Sequence, residues 1–255
     1  MSINALQELI RGKKTPIALG LSPEVDKLNP RVLKNFIDMY GDCPMAKSEA
    51  MRYQGCQAIE AAVDKLPAVV LKAENYLRYG AMGFDVLANL TGIAKSRGFY
   101  TIVDCRTSLP DAWLEGLMGA DAITVNPYAG GDCCTVDEDH AVFAAVRTAN
   151  AAAGDVQNLM AGDRRLYLAA ADQMARHGAG LMVETGYSLD IKELRKRCEK
   201  AFLLLTHCDN DNASYAFDDY GHGALVVDDT LQYAADPAAA TDDAIKAMKS
   251  CVCVL

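Results

Sequence analysis

Eight short apolar runs recur along the chain, and almost every one ends in polar or ionisable residues. The runs are 16–21, 68–71, 100–103, 122–125, 141–146, 180–183, 201–205 and 223–227. A parallel strand is buried on both faces, so it reads as a continuous apolar run rather than an alternating one. Most of these runs are separated by helix-length segments, and 80–97 and 164–177 carry apolar residues at helical spacing. The long connection 23–67 is expected to be helical over 30–39 and 46–64. Repeated strand–helix units predict a parallel α/β sheet, and a count of eight predicts a closed (β/α)8 TIM barrel spanning 1–255 as one domain. An open doubly wound sheet is the alternative that the pattern alone leaves standing.

Composition narrows the function classes. The chain has 255 residues, 51% hydrophobic and 23% charged, with a formal net charge of −9. An acidic chain without a Lys/Arg run is a poor nucleic-acid binder, so no nucleic-acid partner is expected. No stretch approaches 18 uninterrupted apolar residues, so no membrane partner is expected. The first ten residues lack a basic leader followed by an apolar block, which makes the cytoplasm the default location. Nine cysteines in irregular spacing are then read as free thiols rather than a disulfide framework. The C-terminal Cys-Val-Cys-Val-Leu lacks the cysteine fourth from the end that prenylation requires.

In a TIM barrel the site lies at the C-terminal ends of the strands. Here those ends read Ser22, Lys72-Ala73-Glu74, Asp104-Cys105-Arg106, Asn126-Pro127-Tyr128, Arg147-Thr148-Ala149-Asn150, Glu184-Thr185, Thr206-His207-Cys208-Asp209 and Asp228-Asp229. A purely structural barrel has no need of that polarity. A small-molecule ligand at this end is the expectation, with no cofactor. His207, Cys208, Asp209, Asp211 and Asp228 are of metal-ligating types, but their spacing matches no standard motif, and no metal is expected.

The order of these strand ends resembles the bacterial long-form group of the orotidine 5′-monophosphate decarboxylase family. The resemblance covers roughly residues 14–235 and is carried best by GADAITVNPYAGGD and VRTANAAAGDVQNL within 119–159. It is also carried by Leu71-Lys72-Ala73-Glu74-Asn75-Tyr76 with Tyr79-Gly80, and by Gln232-Tyr233-Ala234. The resemblance implies a homodimer and cofactor-free decarboxylation of orotidine monophosphate to uridine monophosphate. Catalysis in that family rests on alternating charges preorganised in a dry pocket. By position Lys72, Asp104 and Arg106 are the expected catalytic set. Ser22, Asn126, Thr148, Asn150, Gln157, His207, Asp209 and Asp228 are the expected ligand-contact positions.

Several positions depart from what the resemblance implies. Arg106 stands where the family's proton-donating lysine belongs, and arginine is a poor general acid near neutral pH. Leu109 stands in place of a second aspartate, Ser22 in place of an aspartate, and Ala149 in place of a serine. The Gly-rich phosphate loop after strand seven and the arginine after strand eight are replaced by segments rich in aspartate. Asp209, Asp211, Asp228 and Asp229 are expected to converge there and repel a phosphate dianion. Arg106 is expected to pair with Asp104 or Glu74, and Lys72 with Asp104. The three readings, in order, are a homologue with lost or altered decarboxylation that serves as a binding or regulatory protein; a divergent enzyme working through Lys72, Asp104 and Arg106; and an authentic decarboxylase with compensating loops. The apolar Leu109-Pro110 and Ala112-Trp113-Leu114 are the expected dimer contact, with packing of Trp113 on its own barrel as the alternative.

Overall fold

Every predicted run forms a strand in the computed structural model, which describes residues 1–116 and 118–255. In chain order the elements begin with α1 (Ile3–Lys13), β1 (Ile17–Leu21), α2 (Pro30–Tyr40), α3 (Pro44–Ala62) and β2 (Ala68–Lys72). Next come α4 (Ala73–Leu77), α5 (Gly80–Ser96), β3 (Tyr100–Thr107), α6 (Asp111–Leu114) and β4 (Ala122–Val125). The chain goes on through β5 (Ala141–Arg147), α7 (Ala153–Gln157), β6 (Met160–Ala161), β7 (Arg164–Arg165) and α8 (Leu166–Arg176). It ends with β8 (Gly180–Glu184), α9 (Ser188–Arg197), β9 (Leu203–Thr206), α10 (Asn210–Ala213), β10 (Ala224–Asp228) and α11 (Pro237–Lys249). All strands except β6 and β7 close into one parallel barrel, in the order β1-β10-β9-β8-β5-β4-β3-β2. The closed (β/α)8 barrel is therefore the fold, and the open sheet is excluded.

Side-chain alternation along the strands sorts the core into two shells. Ala18, Val70, Ile102, Phe143, Met182, Leu204 and Leu225 fill the barrel interior. Leu19, Val69, Val103, Leu181 and Leu205 point outward against the helix layer. Helix α1 places Leu6 and Ile10 in the interior cluster and so stoppers the N-terminal end of the barrel. The C-terminal end has no such stopper, and inward positions there carry polar groups.

The differences from the expected bounds have local causes. The segment 164–177 starts as a two-stranded hairpin, with Met160–Ala161 paired antiparallel to Arg164–Arg165, and becomes helical only at Leu166. Gly162 turns that hairpin at φ +70°, a conformation glycine adopts without a Cβ penalty. Strand β3 runs four residues past its apolar run because its polar end still pairs with β4. Trp113 packs on its own barrel, its ring centroid 6.3 Å from that of Phe84. Trp113 is half-buried and Pro110 and Leu114 are buried, so of the expected contact stretch Leu109 and Ala112 remain fully on the surface. No helix among the described residues is long and apolar enough to cross a membrane. None of the nine cysteines is bonded to another.

Candidate functional site

The interior alternation, continued upward, places Lys72, Asp104, Thr124, Glu184, Thr206 and Asp229 around the mouth. β3 is irregular at this level. Its register against β4 shifts between Val103 and Thr107, and Arg106 takes a left-handed backbone at φ +46°. A bulge of this kind re-aims a side chain. A non-glycine residue held there costs about 1–3 kcal/mol and persists only where its surroundings fix it.

The surroundings of Arg106 do fix it. Its backbone N–H donates to Thr124 Oγ1 at 2.9 Å. Its Nε donates to Asp104 Oδ1 at 3.2 Å, and its Nη2 donates to Asp104 Oδ2 at 3.3 Å and to Glu184 Oε1 at 2.6 Å. The Thr124 hydroxyl donates to Asp104 Oδ1 at 2.6 Å. Asp104 and Glu184 are both buried. Burial by itself would lower the Arg106 pKa, but the charges and hydrogen bonds of the two carboxylates outweigh it and hold the pKa above the ordinary guanidinium value. Arg106 is therefore a permanent cation between two buried anions.

Two expected pairings are corrected. Arg106 meets Asp104 as expected, but its second carboxylate is Glu184 and not Glu74, because the bulge turns the guanidinium across the barrel. Lys72 pairs with Glu74 at 3.0 Å and not with Asp104, whose carboxylate is occupied by Arg106 and Thr124.

The end of β10 is corrected too. Asp229, rather than Asp228, takes the inward position, in step with Leu225 and Val227. It accepts a hydrogen bond from Ser22 Oγ at 2.9 Å. Gly20 makes room for it, since a Cβ there would lie 2.1 Å from Asp229 Oδ1 and 2.9 Å from Asp229 Cα. Burial pushes the Asp229 carboxyl up, against the lowering effects of Ser22, His207 and Lys72. Asp228 spends one oxygen on the backbone N–H and hydroxyl of Thr230.

Of the four clustered aspartates, Asp209, Asp228 and Asp229 border one cavity of about 440 Å³ together with His207, walled by Ala244, Ala247 and Met248 of α11. Asp211 lies outside it and accepts from Cys251 Sγ at 3.4 Å. Asp209 caps α10 by accepting from the Asn212 backbone N–H at 2.8 Å, which holds its pKa below the usual carboxylate range. His207 is exposed, with φ +56°. None of the four aspartates forms an ion pair with a Lys or Arg among the described residues, and no three His, Cys, Asp or Glu side chains there are grouped to hold a metal.

The remaining expected contacts fall after β4 and β5. Thr148, Asn150 and Gln157 form one cluster: Thr148 Oγ1 donates to Asn150 Oδ1 at 2.7 Å, and Gln157 Nε2 donates to Thr148 Oγ1 at 2.6 Å. Arg147 Nη1 adds a hydrogen bond to Gln157 Oε1 at 3.1 Å. Asn126 is turned to a local task, accepting the Tyr128 backbone N–H at 3.0 Å.

Sequence reasoning passed over Glu184, Thr124 and Thr206 as site residues. The signal was available for Glu184, which ends an apolar run as Asp104 does. Thr206 is buried, and its hydroxyl has no hydrogen-bond partner among the described residues. Nothing local distinguishes Thr124 and Thr206 from ordinary strand threonines.

With this geometry in place, comparison with known proteins gives a consistent picture. No family model matches the chain. An orotidine 5′-phosphate decarboxylase of Clostridium novyi (strain NT) is 26% identical over 219 residues, covering 76% of this chain and 74% of the relative. One from Roseiflexus sp. (strain RS-1) is 33% identical over 171 residues, covering 60% and 62%. Among solved structures, the OMP decarboxylase of Leishmania donovani superposes with a TM-score of 0.80 at 23% identity, covering 97% of each chain. The orotidine 5′-monophosphate decarboxylase of Plasmodium berghei does so at 0.81 and 14%, also covering 97% of each. Sequence relatives and fold neighbours thus point the same way, and the chain resembles the orotidine 5′-phosphate decarboxylases.

Proposed function

We propose that this chain is an orotidine 5′-phosphate decarboxylase-like barrel in which decarboxylation of orotidine monophosphate is lost or altered, leaving a binding or regulatory homologue. The observation that supports this most directly is the clamp on Arg106. The resemblance assigns that position to a proton donor, and a guanidinium held between Asp104 and Glu184 does not release its proton near neutral pH. The phosphate end supports the same reading, since Asp209, Asp228 and Asp229 border one cavity there with only His207 as a potential cation. Such a site disfavours a nucleoside monophosphate.

The test is decarboxylation of orotidine monophosphate by purified protein, alongside titration with uridine monophosphate. Loss of a positioned general acid typically lowers the rate by about 10²–10⁴-fold. The Arg106→Lys variant is expected to stay inactive, because the phosphate end is unchanged. Turnover in the ordinary range of roughly 1–10³ per second would refute the reading, as would micromolar uridine monophosphate binding.

A second reading is a divergent enzyme acting on another small molecule through Lys72, Asp104 and Arg106. It is favoured by the free face of the clamp: Arg106 Nη1 makes no hydrogen bond among the described residues, although Nε and Nη2 are engaged. The two N–H donors of Nη1 suit a ligand carbonyl or carboxylate.

Under either reading, the resemblance to the decarboxylase family implies a homodimer with the barrel mouths near the interface. Exposed apolar side chains occur on the segments that follow four adjacent barrel strands. Leu109 follows β3, Tyr128 follows β4, Leu159 and Met160 follow β5, and Tyr187 and Leu189 follow β8. An apolar rim of this kind marks an interaction surface.

A further inference from the structure

The end of the barrel opposite the mouth holds a second cleft, of about 1380 Å³. Ala141, Ala179, Phe202 and Gly223, at the N-terminal ends of β5, β8, β9 and β10, form its floor, and Gln7 and Arg11 of α1 border it. Its charge runs against that of the whole molecule. Seven Lys and Arg line it against four Asp and Glu, a local excess of three positive charges in a chain of net charge −9. Three of the four histidines, His140, His177 and His222, line it as well.

Part of the positive charge is left without a partner within the protein. Arg11 pairs with Glu8, Arg164 pairs with Asp163, and Arg164 and Arg197 share the carboxylate of Asp172. Arg195 donates only to backbone carbonyls, among them Ala201 O and Gly223 O, each at 2.8 Å. Arg176, Lys196 and Lys200 border the cleft and have no ion pair among the described residues. Gln7 adds an independent sign. Its Oε1 accepts the Gly223 backbone N–H at 3.0 Å, which fixes the amide orientation. The opposite atom, Nε2, is then a buried donor with no acceptor among the described residues. A buried donor without a partner costs free energy unless a ligand supplies the acceptor.

We propose that this cleft is a binding site for a small oxyanion-rich ligand carrying three or more negative charges, of the polyphosphate or polycarboxylate class. Guanidinium forks pair with either oxyanion in bidentate fashion, and three uncommitted cations around a concave floor match a compact multivalent anion. The site lies at the far end of the barrel from the mouth and shares no lining residue with the cavity there.

The test is calorimetric titration of the full chain with sodium tripolyphosphate and, separately, with citrate. Saturable binding of at least one is expected with Kd below about 1 mM, weakening by roughly tenfold or more between low and high salt as the charges are screened. The relative affinity of the two probes identifies the oxyanion preferred. The triple variant Arg176→Glu, Lys196→Glu, Lys200→Glu is expected to lose binding with its circular dichroism unchanged. Should that variant misfold, backbone NMR shifts in the unmodified protein provide the readout, with changes expected at 176, 196–200 and Gln7. Binding of neither anion, wild-type affinity in a folded variant, or shifts confined to the mouth would overturn the proposal.

Discussion

Arg106 Nη2 lies 2.6 Å from Glu184 Oε1, which ties the bulged end of β3 to the end of β8 across the barrel mouth. With Asp104 on its other edge, the guanidinium bridges two buried carboxylates, and Arg106 itself is about one-third exposed, with a side-chain exposure of 34%. Arg106→Met is expected to destabilise the fold by about 3 kcal/mol, the low end of the range for an unpaired buried charge, because water partly reaches the site. Glu184→Gln is expected to cost about 1.5–3 kcal/mol, the value of a hydrogen bond to a charged group. The double variant should cost less than the sum. Urea unfolding at pH 7 reads all three, and an Arg106→Met cost below about 0.5 kcal/mol, the level of an ordinary surface change, would sink the account of the clamp.

Gly20 and Asp229 are a fitted pair. Gly20→Ala is expected to cost about 1–3 kcal/mol through overpacking. Its Cβ would meet Asp229 Cα at 2.9 Å, so backbone as well as side chain must shift. Adding Asp229→Ala should recover only part of the loss. Full recovery in thermal unfolding would show that the carboxylate alone is in the way.

Asp229 also sets a pH dependence. Its folded-state pKa is raised by burial. A carboxyl of this kind contributes stability below its unfolded pKa of about 3.9, and that contribution is lost as pH rises through the folded value. Asp229→Asn is therefore expected to stabilise the protein at pH 7 and to lose that advantage near pH 3.5. Denaturation curves at the two pH values check the sign, and an equal effect at both would contradict it.

Asp121 has the opposite sign. Burial raises its pKa, but hydrogen bonds from the Thr101 N–H and hydroxyl, and the charge of Lys95, bring it below the ordinary carboxylate value. Its contribution is present above the unfolded pKa of about 3.9 and is lost as pH falls through the folded value. Asp121→Ala is expected to cost about 2–4 kcal/mol at pH 7 and clearly less in acid. A cost that does not change with pH would argue against the ionised form as the stabilising species.

The apolar rim makes a prediction about assembly. The protein is expected to sediment as a dimer at micromolar concentration. Leu109 and Tyr187 are 71% and 73% exposed in the single chain. Leu109→Asp with Tyr187→Asp is expected to weaken the dimer at least tenfold through burial of unpaired charge. A wild-type monomer at every concentration would refute the mouth-to-mouth arrangement.

The sequence by itself determined the barrel and where its chemistry could lie. Apolar runs buried on both faces read directly as parallel strands, and their polar ends mark the mouth, so Lys72, Asp104 and Arg106 were legible as residues of the mouth. Side-chain partners were not. Arg106 reaches Glu184, 78 positions away, only because the barrel closes and because a bulge with a left-handed residue turns the chain; neither is written in local periodicity. Likewise, one step along β10 reverses the facing of a side chain, so only strand register decides that Asp229 enters the mouth while Asp228 turns to Thr230. The cleft at the other end is more remote still. Its cations come from α1, β7, α8, α9 and the segment after α9, and they form one electrostatic surface only because closure of the barrel brings distant segments to one end.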